Sequence, residues 1–314
     1  MAAPAPGGPL RFETISFLSD YGHGDEFVGV VHSVIRSIAP GVRVIDITHS
    51  IEPYNVRAGG LALARSAQYL VPGVVVAVVD PGVGTARRPV AIEVGGGQSF
   101  LVGPDNGLLA PAVALVGGAT DAVVLDRAEF QLESPGSTTF DGRDVFAPVA
   151  AHLCNGVPLR QLGTPVDPVQ LLPGLLPVSE QLPDGPIKAE VLWVDRFGNA
   201  QLNVDPEQIG GWPDAVRAEG PGWSRVANRV TSFAEVPTGS VGLLVDAYGL
   251  LSLVADRSSV AAELGIGEGE EVTLTPVEGG ASRGATVTVS LGRKAPSAGS
   301  PGAADGPTTT NPES

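Results

Sequence analysis

The chain has 314 residues, 43% of them hydrophobic, and a formal net charge of −15 at pH 7. This length suits two domains, and the negative charge argues against a nucleic acid or an anionic membrane as partner. The single cysteine, Cys154, excludes an intrachain disulfide and a cysteine-based metal site, and the four histidines lack a zinc-protease spacing. With neither a membrane-length apolar run nor a signal-peptide pattern, the sequence predicts a soluble cytoplasmic protein.

The first part of the chain alternates predicted strands with predicted helices. They are a strand at 14–18, a helix at 26–39 capped by Asp25, a strand at 43–47, a helix at 56–70 and a strand at 73–79. Short connections between such elements predict parallel crossovers in a sheet covered on both faces. The loops after the three strands, which carry Asp20, Tyr54 and Asp80, would then open on the same side.

The loop VDPGVGTARR at 79–88 follows the most apolar of these strands and carries two candidate functional residues. Its proline and two glycines favour a compact turn that brings Asp80 and Arg87 together. In open α/β sheets, ligands bind beyond the carboxyl ends of the strands. Two interpretations of these residues remain open: a ligand site, and a strand-end turn with a surface ion pair of little energetic value.

Further strands are predicted at 89–94, 99–102 and 123–125, and a further helix at 145–155. The Pro-Asp-Asn-Gly sequence at 104–107 is typical of a turn, although Asn106 could also face a ligand. The cluster Asp141-Gly142-Arg143-Asp144 precedes the helix. It is either a helix cap or a polar wall of a site.

The second part of the chain differs in composition and in its predicted secondary structure. Recurrent prolines between 156 and 186 indicate a linker, after which short strands and Gly-rich turns predict a small all-β domain with one helix at 260–264. The predicted strands lie at 187–194, 200–204, 241–245, 250–254 and 271–275. We therefore predict an α/β domain at 12–178, an all-β domain at 186–290, and disordered arms at 1–11 and 293–314.

Six motifs in this order point to one family. They are FLSDYG with DEFVG at 17–29, DITHSIEPYN at 46–55, VVDPGVGTARR at 78–88, LVGPDNGLL at 101–109, FDGRDVFAP at 140–148 and VDRFGN at 194–199. Through them, the chain from about residue 13 to residue 280 resembles the adenosine-forming S-adenosyl-L-methionine (SAM) hydrolases, also called SAM hydroxide adenosyltransferases. Fluorinase and chlorinase are relatives of that family.

The resemblance implies an N-terminal α/β domain with a mostly parallel sheet and a C-terminal all-β barrel domain. It also implies a homotrimer in which SAM lies between the N-terminal domain of one subunit and the C-terminal domain of its neighbour. The implied reaction converts SAM and water into adenosine and L-methionine. No metal and no other cofactor is implied, because SAM is the substrate.

By motif position, Asp80 and Arg87 match the catalytic aspartate and arginine of the family. A carboxylate can orient the attacking water or accept its proton, and a guanidinium can stabilise developing hydroxide. The halogenating relatives carry no acid at the Asp80 position, and a carboxylate there repels a halide. The resemblance therefore favours water as the nucleophile over chloride or fluoride.

Asp141 departs from the family, whose third catalytic residue is a histidine at this position. It adds negative charge beside Asp80, which would raise one carboxyl pKa unless Arg87 or Arg143 separates the two groups. Three outcomes stay open: Asp141 substitutes for the histidine, it tunes the site, or the protein binds SAM and turns it over poorly. The alternatives to a hydrolase are thus a non-catalytic SAM or adenosine sensor and, third, a SAM halogenase.

The resemblance also assigns substrate contacts. Asp20 would hold the ribose hydroxyls and Tyr54 would pack near the sugar. In the second domain, Asp195 would face the methionine ammonium, Phe197 would pack on adenine and Asn199 would read it. The 246–256 segment departs from the family pattern at Ala247, Ser252 and Asp256, and its candidates for substrate contact are Tyr248, Ser252 and Ala255.

Overall fold

The computed structural model describes residues 10–133, 138–174, 176–183 and 185–277. The predicted disordered arms lie outside these ranges, except for Leu10 and Arg11, and Arg11 donates its backbone N–H to the Cys154 carbonyl over 2.7 Å. No helix within the described ranges is long and apolar enough to cross a membrane.

The first sheet has seven strands in the order β2–β1–β3–β5–β4–β6–β7. They are β1 Thr14–Ser19, β2 Arg43–Thr48, β3 Val74–Val78, β4 Pro89–Val94, β5 Ser99–Pro104, β6 Ala119–Val124 and β7 Thr164–Pro165. Strands β2, β1, β3 and β5 are parallel neighbours, β4 runs against β5, and β6 runs against β4. The predicted, mostly parallel sheet is confirmed.

Four helices cover both faces of this sheet. They are α1 Phe27–Ile38, α2 Val56–Ala67, α3 Ala110–Leu115 and α4 Ala147–Cys154. Successive β3 residues alternate between two cores: Val76 packs with α1 and α4, whereas Ala77 packs with α2 and α3. Because β3 is buried on both sides, its sequence is a continuous apolar run rather than an alternating one.

The second sheet closes into a seven-stranded barrel, as the resemblance implied. Its strands follow the order β10–β14–β13–β12–β11–β15–β9, and β9 pairs with β10 to close it, while β8 adds to the outside of β9. They are β8 Glu180–Gln181, β9 Ile187–Val194, β10 Ala200–Leu202, β11 Ala215–Gly220, β12 Trp223–Arg229, β13 Val241–Val245, β14 Leu251–Val254 and β15 Glu271–Pro276, with helix α5 at Val260–Leu264. Closure leaves few unpaired strand edges.

Several details differ from the sequence predictions, among them helix α3 and strands β7 and β8, which were not predicted. Glu26, not Asp25, is at the N-cap of α1, and no side chain caps that end. Strands β11 and β12 were missed because they bury few apolar residues, Val216 and Ala218 in β11 and Ala227 in β12, yet they pair over six registered positions. The helix predicted at 145–155 is preceded by a π-helical turn at Gly142–Phe146, and the Asp141 side chain does not cap it.

Candidate active site

A cavity of about 630 Å³ opens where the loops after β1, β2 and β3 meet the segment before α4. This volume lies within the range of small-molecule sites. As predicted, the three loops share one side, since Asp20, Tyr54 and Asp80 all line the cavity. The other lining residues are Tyr21, Asp25, Phe27, Pro53, Val78, Val83, Thr139, Phe140, Asp141, Gly142 and Arg143.

Arg87 lies between two carboxylates at this cavity. Its Nε donates to Asp80 Oδ1 over 3.2 Å, its Nη2 donates to Asp80 Oδ2, and the same Nη2 donates to Asp141 Oδ2 over 2.5 Å. The side chains of Arg87, Asp80 and Asp141 are 7%, 5% and 20% exposed. The arrangement is therefore a buried, bridged triad and not the surface ion pair that one interpretation of the sequence allowed. Arg143 does not separate the carboxylates; it pairs with Asp144.

Burial raises the pKa of the Asp80 carboxyl above that of an ordinary aspartate. Arg87 and the Gly82 N–H oppose this shift, and the negative charge of Asp141 adds to it. The net direction is upward because burial, the largest effect, together with Asp141 outweighs the guanidinium and the Gly82 N–H. A carboxyl with a raised pKa is a better proton acceptor than a fully solvated one.

Asp80 keeps an acceptor position for a further ligand. A carboxylate has about four lone-pair positions, and Arg87 uses two of them while the Gly82 N–H takes a third, on Oδ1, at 3.2 Å. Arg87 also keeps a donor: within the described ranges, its buried Nη1 has no hydrogen-bond partner. Buried donors in native proteins are normally paired, with ordered water among the common partners.

Tyr21 is a cavity residue that sequence reasoning missed. Its ring makes edge contacts with Phe27 at 5.7 Å and Phe140 at 5.6 Å between centroids. Burial, followed by the charges of Asp20, Asp80 and Asp141, raises the pKa of its phenol, so the hydroxyl stays protonated. The available signal was its position directly after Asp20 in a strand-end loop.

Gly142 is required by the position of the Tyr21 hydroxyl. A Cβ built on Gly142 would overlap the Tyr21 oxygen and approach the Phe140 ring to 3.4 Å. We expect Gly142→Ala to displace Tyr21 and to lower the free energy of unfolding by about 1–3 kcal/mol, as overpacking does. Urea denaturation measures this loss. Gly24→Ala is the matched control, because a Cβ there meets nothing within 4 Å; equal stability of the two variants would contradict the prediction.

Asp20 and Tyr54, which both line the cavity, are joined by a hydrogen bond. The Tyr54 N–H donates to Asp20 Oδ2 over 3.0 Å, and Tyr54 has a positive φ of 68°, which is uncommon for a residue with a side chain. The residue is 74% exposed. The backbone of the second loop is thus held by the carboxylate of the first, and the ring is free to contact a ligand.

The six second-domain candidates do not line this cavity. Asp195 accepts the N–H groups of Phe197 and Asn199, and it also accepts from the Asn199 side chain over 2.8 Å. Phe197 is 74% exposed. Tyr248 makes an edge contact with Trp193, Ser252 donates to Asp246 over 3.0 Å, and Ala255 is buried. Within one chain, the structure does not join the two sets of candidates.

Comparisons with known proteins agree with one another. Family models described as the SAM hydroxide adenosyltransferase N-terminal and C-terminal domains match residues 15–163 and 189–273. The chain is 42% identical over 261 residues to an (R)-S-adenosyl-L-methionine hydrolase of Salinispora tropica, covering 83% of this chain and 97% of that protein. It is also 42% identical to a protein of the same name from Thermus thermophilus, covering 83% of this chain and 98% of the relative.

The chain is also similar, at lower identity, to a protein with a different named activity and to a protein of known structure. A fluorinase of Actinopolyspora mzabensis is 28% identical over 294 residues, covering 83% of this chain and 96% of the relative. The crystal structure of an uncharacterized conserved protein from Thermotoga maritima superposes with a TM-score of 0.77 at 31% identity, covering 83% of this chain and 99% of the other.

Proposed function

The chain belongs to the SAM hydroxide adenosyltransferase family, and from this premise we propose that it hydrolyses SAM to adenosine and L-methionine. The observation that carries the proposal is the buried triad in which Arg87 bridges Asp80 and Asp141 beside the cavity. Its relatives are named for (R)-SAM. Since L describes the amino-acid carbon, we take the (R) prefix to specify the sulfonium centre, and we propose that epimer as the substrate.

The charge of the cavity suits such a ligand. Four carboxylates line it, those of Asp20, Asp25, Asp80 and Asp141, against one lining guanidinium, that of Arg143. The sulfonium and ammonium groups of SAM are both cationic, so an acidic site attracts them. One oxygen of Asp20 is used by the Tyr54 N–H, and its remaining acceptor positions suit the ribose hydroxyls.

In the proposed reaction, water attacks the ribose 5′ carbon, the new C–O bond forms, and the C–S bond breaks with its electron pair going to sulfur. Methionine leaves as a neutral thioether, so its departure needs no general acid, metal or cofactor. The water proton passes to Asp80, which has an acceptor position left for it, and then to solvent. The unpaired Nη1 of Arg87 supplies a donor for the water oxygen as it gains negative charge.

We propose that a neighbouring subunit completes the site in a homotrimer. The cavity carries none of the second-domain candidates of its own chain, and the residues Tyr54 and Phe197 are both 74% exposed. An adenosyl group covered by these two rings from different subunits would remove both from water. Sedimentation equilibrium tests this by measuring whether the particle has the mass of three chains.

The test of function is incubation of the purified protein with each sulfonium epimer of SAM in chloride-free buffer, with products separated by chromatography. Adenosine and methionine in equal amounts, preferentially from the (R) epimer, are the expected result. SAM binding by calorimetry without product would support a non-catalytic sensor. The lack of turnover would then be explained by Asp141, which stands where the family has a histidine. A product that appears only on adding halide would indicate a halogenase.

The pH dependence of hydrolysis follows from the raised pKa of Asp80. Asp80 must be ionised to accept a proton, so kcat/KM falls as the pH drops through this pKa, which lies above the ordinary aspartate value. In Asp141→Asn, the electrostatic repulsion between Asp141 and Asp80 is removed, and Asp80 is the only carboxylate left to pair with Arg87. We therefore expect the acidic limb of the kcat/KM profile to move to lower pH.

The matched control is Asp25→Asn, which removes another cavity carboxylate that does not contribute to the Asp80 shift. Its acidic limb should coincide with that of the wild type. An Asp141→Asn profile superimposable on the wild-type profile would show that Asp80 is not the titrating group or that Asp141 does not act on it.

A further inference from the structure

A second group of polar side chains lies outside the cavity, at the end of β2. His32 of α1 places Nε2 2.8 Å from Asp46 Oδ1, and His49, in the loop after β2, places Nε2 3.0 Å from the same oxygen. One nitrogen or oxygen of each residue lies within 4.8 Å of the other two. None of the three residues lines the 630 Å³ cavity.

His49 is the informative member of this group because it is completely buried. Its Nδ1 is hydrogen-bonded to the Ser19 hydroxyl at 2.8 Å. Its Nε2 is a buried atom without a hydrogen-bond partner among the described residues, although it lies 3.0 Å from an Asp46 oxygen in an ion-pair contact. An unpaired buried polar atom destabilises the folded state, so we expect Nε2 to have a partner such as a bound ion or water.

We propose that His32, Asp46 and His49 bind one divalent transition-metal ion of the zinc class. Two imidazoles and one carboxylate are ligands that zinc, cobalt and nickel accept, whereas magnesium and calcium prefer oxygen alone. Ligand atoms about 2.1 Å from a shared tetrahedral ion lie about 3.4 Å apart, so the ion would replace the His32–Asp46 hydrogen bond and widen the observed contacts of 2.8 and 3.0 Å by roughly half an ångström.

The surroundings have the form of a metal site. The Ser19 hydroxyl holds the far nitrogen of His49, as the outer hydrogen-bond partner of a metal-bound histidine does. His32 and Asp46 are 34% and 39% exposed, so an ion can enter from solvent and keep water as a further ligand. The assignment is independent of the proposed hydrolysis, which uses none of these side chains.

The ion would fasten the loop that carries Asp20. Ser19 contacts His49 directly, and the Gly22 N–H donates to the His49 carbonyl over 2.7 Å. One ion bound to α1, β2 and this loop would limit the mobility of the cavity wall. The ion would not take part in the reaction. Because the ion binds the folded chain, it raises the unfolding free energy in proportion to the logarithm of its concentration above Kd.

The test is a titration of the untagged full-length protein, first freed of metal by a chelator, with Co²⁺ and with Zn²⁺. We expect saturable binding of one ion per chain by calorimetry, a visible d–d absorption band with Co²⁺, and a higher Tm with Zn²⁺. Mg²⁺ should produce none of these changes. Absence of saturable one-to-one binding of both transition metals to the wild-type protein would overturn the proposal.

Substitutions identify the ligands. Asp46→Asn and His32→Gln should each weaken Co²⁺ binding by about tenfold or more, since even outer-shell changes cost about 10–100-fold. His152→Gln is the matched control, because His152, in α4, packs on Phe130 and is not among the three ligands. Folding of each variant is checked by circular dichroism. Wild-type affinity in both ligand variants would assign any bound ion to another place and overturn the proposal.

Discussion

Asp80→Asn should lower kcat by roughly 10²–10⁴-fold, the usual effect of removing a general base, while the affinity for SAM changes little. The amide has nearly the shape of the carboxylate, but it cannot accept the water proton. The acceptor position left free beside Arg87 and the Gly82 N–H is where the residue would act on water. Single-turnover kinetics and calorimetry with SAM separate the two quantities.

The structure provides a matched control for this substitution. Asp105 is also a buried carboxylate, 4% exposed, and it pairs with Arg88, the residue after Arg87. It accepts the Leu172 N–H over 2.8 Å and does not line the active-site cavity. Asp105→Asn therefore disturbs a similar ion pair with no expected effect on turnover.

Comparing kcat of Asp80→Asn with kcat of Asp105→Asn tests whether Asp80 accepts the water proton. If Asp80→Asn keeps kcat within a few-fold of the wild type, Asp80 does not accept the proton and the proposed chemistry is wrong. If Asp105→Asn loses as much activity as Asp80→Asn, the loss reflects a disturbed ion pair in this part of the fold. Only a loss confined to Asp80→Asn supports its action on water.

The sequence predicted the α/β sheet well because its signals are local. The all-apolar β3 and the amphipathic α1 each carry their burial pattern within one segment. In the barrel, β11 carries a weaker signal, because Arg217 and Glu219 alternate with only two buried apolar residues, Val216 and Ala218. Its pairing with β12 spans only a two-residue turn, but its pairing with β15 joins residues at least 54 positions apart, which no local pattern indicates.

The same distinction applies to the site. Asp80 and Arg87 are seven residues apart, and the glycines between them suggested that they would meet. The link from Arg87 to Asp141 spans 54 residues and depends on how the π-helical turn packs against the sheet. Burial, which decides both the strength of the bridge and the direction of the Asp80 pKa shift, is a property of the folded chain.

Arg87→Met should abolish measurable turnover and destabilise the protein by about 3–5 kcal/mol near neutral pH, as breaking a buried ion pair does. It would leave two largely buried carboxylates, 5% and 20% exposed, without the cation they share. The Asp80 carboxyl, whose pKa burial already raises, would then also lose the cation that opposes this shift. Urea denaturation at several pH values measures the consequence.

The sign of the pH effect is fixed by linkage. A carboxyl whose folded-state pKa is raised contributes stability that is present below its unfolded pKa and is lost as the pH rises through the folded pKa. The stability deficit of Arg87→Met relative to the wild type should therefore shrink as the pH is lowered from 8 toward 5. Arg88→Met is the control, because it leaves the single carboxylate of Asp105, so its deficit should depend less on pH and its activity should remain.

Arg87→Lys keeps the test informative if the methionine variant does not fold. Lysine retains the positive charge between Asp80 and Asp141 but cannot form the two-pronged contact that Arg87 makes with Asp80. We expect a folded protein with strongly reduced kcat and little change in stability across this pH range. Wild-type kcat in Arg87→Lys would show that a point charge suffices and that the geometry of the guanidinium is not what the reaction requires.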